Sequence, residues 1–130
     1  MIADTTFIID LLIRDQKAVK KADELEESGV TISVSSPTIF ELFAGIALSR
    51  KAEEEKSKIS TILSSLPQLV LDSPSASAGG LIHGEKIRTG QSIDPEDAMI
   101  AGIARVNSEK VLTRNIRHYS GIEGVTIENY

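Results

Sequence analysis

The stretch MIADTTFIIDLL, residues 1–12, begins with a minimal apolar run, stops it at Asp4 and passes through Thr5 and Thr6 into an apolar helical segment. Asp4 has the short side-chain oxygen of a helix N-cap, which accepts from backbone N–H groups two or three residues on. Capping accounts for one carboxylate of this kind. Two further acids, Glu41 and Asp97, also stand beside apolar helical runs of the sort that normally exclude charge.

Working outward, residues 15–28 place Ala18, Val19, Ala22 and Leu25 on one helical stripe, and Gly29 follows as a C-terminal cap. Residues 30–35 have the β-branched content of a buried strand, and Pro37 marks the first turn of the next helix. That helix, 38–49, is apolar nearly all round and is expected to be buried, with Glu41 its one charge. A buried carboxylate needs a compensating cation or donor. Arg14 and Arg114 are the candidates for an ordinary ion pair.

Residues 50–58 are a Lys/Glu mixture typical of a solvated helix face, and the helix continues to Pro67. Residues 68–72 read as a third strand. Ser73 and Pro74 open a helix whose Ala76, Leu81, Ile82 and Ile87 are expected to face the core, weakened by Gly79 and Gly80. In SIDPEDAMIAGIARV, residues 92–106, Asp94 is placed as an N-cap and Asp97 as the third residue of a capping box. Residues 110–113 form a fourth strand with Thr113, Arg114 and Asn115 at its end, and 125–128 form a closing strand.

The alternation predicts an α/β fold: a three-layer α/β/α arrangement with a central, mainly parallel sheet. Sites on such sheets form outside the carboxyl ends of the strands, at a topological switch point. Asp4, Glu41, Thr113 and Asn115 all follow strands and so point to one edge. Carboxylates gathered there without cysteine make a hard, oxygen-rich site suited to Mg²⁺ or Mn²⁺, the kind of site that cleaves phosphodiesters. Asp4, Glu41 and Asp97 are the expected metal ligands, and Thr113 and Asn115 would orient water or a carboxylate.

Length and composition bound the alternatives. The 130 residues fit one domain, 1–130, and 41% hydrophobic content supports a core. With 4% aromatic residues and no Trp, stacking of single-stranded bases does not dominate, and the net charge of −5 excludes a generic basic nucleic-acid coat. No Cys is present, which fits a reducing, cytoplasmic interior. The apolar run 7–13 is too short for a membrane span and is broken by Asp10.

The segments MIADTTFIIDLL, ISVSSPTIFELFAG (32–45), SIDPEDAMIAGIARV and VLTRN (111–115), with the closing GVTIENY, together resemble the acidic motifs and tail of PIN-domain proteins, particularly the VapC-type toxin ribonucleases. The resemblance spans essentially the whole chain, in order. It implies a PIN-like nuclease domain with Mg²⁺- or Mn²⁺-dependent endoribonuclease activity on RNA, a homodimer, and neutralisation by a cognate antitoxin in a toxin-antitoxin pair. It places Asp4, Glu41 and Asp97 on the three family acids. Asn115 stands where a fourth acid is often found, with Asp94 able to make up the deficit as a metal ligand. Asp10 resembles a recurring acid of the first helix and is read here as solvated.

Arg14, Arg50, Arg88, Arg114 and Arg117 are candidate phosphate contacts, each with a surface role as the plainer reading. His83 and His118 lack a partner histidine at ligand spacing and are assigned structural or surface roles. A PIN-like RNA-binding or scaffold module without catalysis is the alternative function. Phosphotransfer on Asp4 is disfavoured because no second acid adjoins it and no motif lysine is evident.

Overall fold

The computed structural model describes residues 1–130. In chain order the elements are β1 (Ile2–Ala3), α1 (Thr5–Leu12), α2 (Gln16–Glu27), β2 (Ser33–Ser35), α3 (Ser36–Ala47) and α4 (Ala52–Ser65). They are followed by β3 (Gln68–Leu69), α5 (Ser73–Arg88), α6 (Pro95–Val106), β4 (Lys110–Leu112), α7 (Ile116–Tyr119) and β5 (Thr126–Glu128). The five strands form one sheet in the order β3-β2-β1-β4-β5, and every pairing is parallel.

Period-two alternation divides the core between the two faces of the sheet. On β1 and β4, Ile2 and Val111 pack with Ile82, Ile100, Ile103 and Tyr119 from α5, α6 and α7. Ala3 and Leu112 face the other way, among Phe7, Ile8, Leu25, Leu42 and Ile59 of α1 to α4. The sheet is therefore covered on both sides, as the expected three-layer α/β/α architecture requires. Gly29 follows α2 at φ +71°, the left-handed conformation its reading as a helix terminator calls for.

Several local expectations are corrected. The third strand is only Gln68–Leu69, so Val70 is left 65% exposed beyond it. On α5, Ala76, Leu81 and Ile87 are exposed, and the buried stripe is Ser75, Gly79 and Ile82. Gly79 is a contact point, not a weakness: it meets Gly102 of α6, and a Cβ added at Gly102 would press on the Ser75 carbonyl and stand 2.6 Å from the Gly79 nitrogen. Small residues here let the two helix backbones approach. Nor is α3 buried all round, since Phe40 and Phe43 on it and Leu48 at its C-cap are exposed. The apolar flank of α3 opens instead on a groove of about 330 Å³ lined by Ile9, Ile13, Leu42, Ile46 and Ile59.

Strand order reverses direction between β1 and β4, because the chain adds β2 and β3 on one side of β1 and then returns to add β4 and β5 on the other. Asp4 leaves the sheet at this point, with its N–H still donating to Leu112 O at 3.1 Å. The crevice expected at a switch point therefore opens beside the first acid.

Candidate functional site

Asp4 is 2% exposed, yet it is the N-cap of α1. Its Oδ1 accepts from Phe7 N–H at 2.9 Å, and its Oδ2 accepts from the buried Thr113 hydroxyl at 2.5 Å. The cap and the β4 threonine fix both oxygens, so the carboxyl cannot rotate away. Burial raises its pKa; the Thr113 and Phe7 donors pull it back, while Asp97 and Asp10 push it up again.

Glu41 comes from the second turn of α3, across the crevice. The arginine partner considered for it is not used: Glu41 Oε1 accepts from the Thr5 hydroxyl at 2.6 Å. Its pKa is raised, first by burial and then by Asp97, Glu96 and Asp4, with the Thr5 bond opposing. Asp97 makes no capping box. Its Oδ1 accepts from the buried Tyr119 hydroxyl at 3.0 Å and its Oδ2 lies 2.7 Å from His118 Nδ1. Burial and the surrounding carboxylates hold the Tyr119 phenol far above its ordinary value, so it stays a donor to Asp97.

Asp94 occupies the N-cap position of α6 without a side-chain capping bond. The residue lines a cavity of about 200 Å³ together with Thr5, Glu41, Asp97, Asn115 and His118. Buried Asp4 does not itself line this cavity, but it adjoins Thr5, which does, and its charge acts on Glu41 and Tyr119. Thr113 is buried against Asp4, and Asn115 lines the cavity. The Asn115 amide donates to Thr6 Oγ1 at 3.0 Å, and its backbone N–H donates to Thr113 Oγ1 at 2.9 Å. It secures the loop and is not aimed at a carboxylate.

The acids thus share one field without closing on one point, and no three His, Asp or Glu side chains stand at metal-ligand spacing. Each acid is engaged by a neighbouring donor: Asp4 by Thr113, Glu41 by Thr5, Asp97 by Tyr119 and His118. The donor set is nonetheless that of a hard dication: carboxylate and hydroxyl oxygens with one imidazole and no sulfur. Crowded, partly desolvated carboxylates with raised pKa values are stabilised by a bound cation.

Three features differ from what the sequence suggests. Asp10 is 1% exposed, not solvated; its Oδ2 accepts from Tyr130 OH at 2.7 Å and pairs with Arg114 Nη1 at 2.9 Å. His118, read as structural or surface, is an exposed residue whose Nδ1 lies against Asp97 at the site. Glu96 adds to the field at Glu41. Thr5 and Thr6, adjoining Asp4 in the chain, are the available signal for the supporting hydroxyls, Thr5 as donor to Glu41 and Thr6 as acceptor from Asn115. The partners of Asp10 and Asp97 lie too far off in sequence for any local pattern to reveal them.

A parallel sheet between two helical layers, with carboxylates collected at its switch point, defines an α/β/α domain with an acid-lined site. The PIN domain family model matches residues 1–121, and the chain belongs to this family. It is 34% identical over 97 residues to the tRNA(fMet)-specific endonuclease VapC of Salmonella typhimurium, covering 75% of this chain and 74% of that protein. To the protein of the same description from Shigella flexneri it is 29% identical over 127 residues, 98% of this chain and 95% of the relative. Among solved structures, VapBC2 of Rickettsia felis bound to a promoter DNA fragment superposes with a TM-score of 0.90 at 24% identity, covering 99% and 97% of the two chains. DNA-bound VapBC of Salmonella typhimurium gives 0.86 at 30% identity, covering 98% and 96%. No helix here is long and apolar enough to cross a membrane.

Proposed function

We propose that this chain is a metal-dependent endoribonuclease, the toxin of a toxin-antitoxin pair, which hydrolyses RNA phosphodiesters with Mg²⁺ or Mn²⁺ held by Asp4, Glu41, Asp97 and Asp94. The observation that carries this reading is the acid cavity at the β1/β4 switch point, lined by Glu41, Asp94 and Asp97, with Asp4 buried beside it. The similarity to proteins named as VapC endonucleases supports the reaction class, and their tRNA(fMet) specificity makes transfer RNA the first substrate to try.

A cation held by Asp4, Glu41, Asp97 and Asp94 would supply positive charge for the phosphoryl oxygens and lower the pKa of a water bound to it. The chain's own groups keep its ligands in place. Thr113 and the Phe7 N–H hold the plane of Asp4, Thr5 holds Glu41, and Tyr119 with His118 holds Asp97. Such supporting bonds set ligand orientation and are commonly worth roughly 10- to 100-fold in metal affinity or activity. Asp94, free of a capping bond, is the acid that compensates for the amide at Asn115.

A cognate antitoxin is the expected protein partner, in keeping with the VapBC complex of Salmonella typhimurium, which is 30% identical over the shared fold. The exposed apolar side chains Ile13, Phe40, Phe43 and Leu48 offer surface for a protein partner. A homodimer in the cytoplasm, each subunit one nuclease unit over residues 1–130, completes the proposal.

The test is incubation of a transfer-RNA pool and a single-stranded RNA with the purified protein and Mn²⁺. Cleavage is expected, with EDTA abolishing it and Asp97→Asn lowering the rate by roughly a hundredfold or more. Cleavage that persists in EDTA, or at full rate in folded Asp97→Asn, rules the reading out. RNA retained without any cutting would instead favour the non-catalytic binding module.

A further inference from the structure

The loop from β4 to α7 attaches itself to the opening helix through three successive side chains. Thr113 donates to Asp4 at 2.5 Å, Arg114 reaches Asp10 at 2.9 Å, and Asn115 donates to Thr6 at 3.0 Å. On its outer side the same loop lines a cavity of about 320 Å³ with Arg114, Asn115, Ile116, Arg117 and His118. Asn115 and His118 also line the acid cavity, so the two cavities adjoin. We propose that this loop cavity seats a backbone phosphate of the RNA strand next to the one being cut, with Arg114 and Arg117 as its binding residues. The proposal rests on the reading of RNA as substrate.

Electrostatics favours such a seat. The chain carries a net charge of −5 and the reaction cavity is lined by carboxylates, so a phosphate beside the one at the cation gains from a cationic side chain of the protein. Of the five arginines near the motifs, Arg88 is taken up by Glu85 near the end of α5. Arg50 lies between α3 and α4, and Arg14 lines a different cavity with Leu11 and Lys58. Of these five, Arg114 and Arg117 line a cavity that shares residues with the acid site. Lys58 lines a third cavity that shares Ile9 and Glu41 with the acid site but is paired with Glu54.

Arg114 is built for the task. Its side chain is 53% exposed while its partner Asp10 is 2% exposed, and Asp10 is also bonded by Tyr130 OH. One guanidinium nitrogen is anchored from below, which leaves further donors of the planar fork for an outside acceptor. Arg117 is exposed and in no ion pair. The plainer role, neutralisation of buried Asp10, explains the anchoring of Arg114 but gives Arg117 nothing to do. Because the loop is tied to α1 at residues 4, 6 and 10, a phosphate seated on it keeps a fixed offset from Asp4.

The test is fluorescence anisotropy with a labelled single-stranded RNA of about twelve nucleotides, in EDTA, from 50 to 200 mM salt. Wild type is compared with Arg114→Gln, Arg117→Gln and the control Arg88→Gln. Each seat variant is expected to weaken binding on the order of three- to tenfold at the lowest salt and to flatten the log Kd against log salt slope by about 0.7. Arg88→Gln should match wild type. With Mn²⁺, KM should rise in the seat variants while kcat at saturating RNA stays near wild type. If Arg114→Gln destabilises the fold by stranding Asp10, exposed Arg117 carries the test alone. Unchanged affinity and slope in Arg117→Gln, an equal loss in Arg88→Gln, or no RNA binding by wild type overturns the seat. Binding that depends on Arg117 in a protein that never cuts RNA would sink the nuclease reading and leave the seat standing.

Discussion

Asp4 has two structural duties that conflict with its charge: it caps α1, and it is buried beside the acid cavity among other carboxylates. Its raised pKa means that the folded chain retains a proton that the unfolded chain has already lost. Stability therefore falls as pH climbs from the ordinary aspartate range through the raised folded value, and the loss persists above it. Glu41 is raised in the same direction and adds to the trend. Asp4→Asn removes the charge while keeping an oxygen for the Phe7 cap, since Asn serves as well as Asp at an N-cap. Thermal melts in EDTA should show Asp4→Asn above wild type at pH 7 to 8, with the gap closing near pH 4. A wild type at least as stable as the variant at neutral pH would contradict the burial argument. Saturating Mn²⁺ should reverse the order, because the ligand stabilises only the chain that binds it.

Between elements, α5 and α6 cross closely. Gly79 and Gly102 meet there without side chains between them, and α6 in turn presents Asp97 to the cavity from its first turn. Gly102→Ala would drive a methyl group against the Ser75 and Gly79 backbone, with nothing flexible to move aside. The expected destabilisation is about 3 kcal/mol, the upper end of the overpacking range. Gly80, on the open side of the same helix, would meet no atom within 4 Å of an added Cβ. Gly80→Ala should stabilise by about 1 kcal/mol through helix propensity. Urea denaturation of the two variants separates the cases; similar effects of one sign would mean that the crossing is not tight. The pair of glycines looks like a helix weakness when read from the chain alone, because propensity is local and the reason for Gly79 lies on another helix. The apolar flank of α3 misleads for a related reason: apolarity signals a surface hidden from water, whether by the chain's own core or by something outside it.

At the level of the whole molecule, the alternation of strands and helices is enough to read a parallel three-layer fold, because each element carries its own period and its own stop signal. Asp4, Glu41 and Asp97 are legible as candidate site residues, since an acid beside an apolar helix stands out against its neighbours, whereas Asp94 reads as a cap and becomes a candidate ligand only through the PIN resemblance. Their supporting donors are not. Thr113 and Asp4 are 109 residues apart, Tyr130 and Asp10 are 120 apart, and such pairings exist only once the sheet has brought its edges together. Capping by Asp94 and Asp97 is good local chemistry, but in the folded chain Asp94 makes no side-chain capping bond, Asp97 is held by Tyr119 and His118, and both residues line the cavity. The same closure places a cation-bearing loop beside an acid cavity in a chain of net negative charge, and no single segment contains that juxtaposition.

Whether these carboxylates act together as a cation site decides everything built on them. Calorimetric titration of the purified wild-type protein with Mn²⁺ at neutral pH, alongside Asp4→Asn, measures this most directly. Saturable binding that weakens by at least about tenfold in Asp4→Asn is the predicted result. Wild-type protein that takes up no Mn²⁺, or a variant that binds it equally well, would contradict the shared cation site.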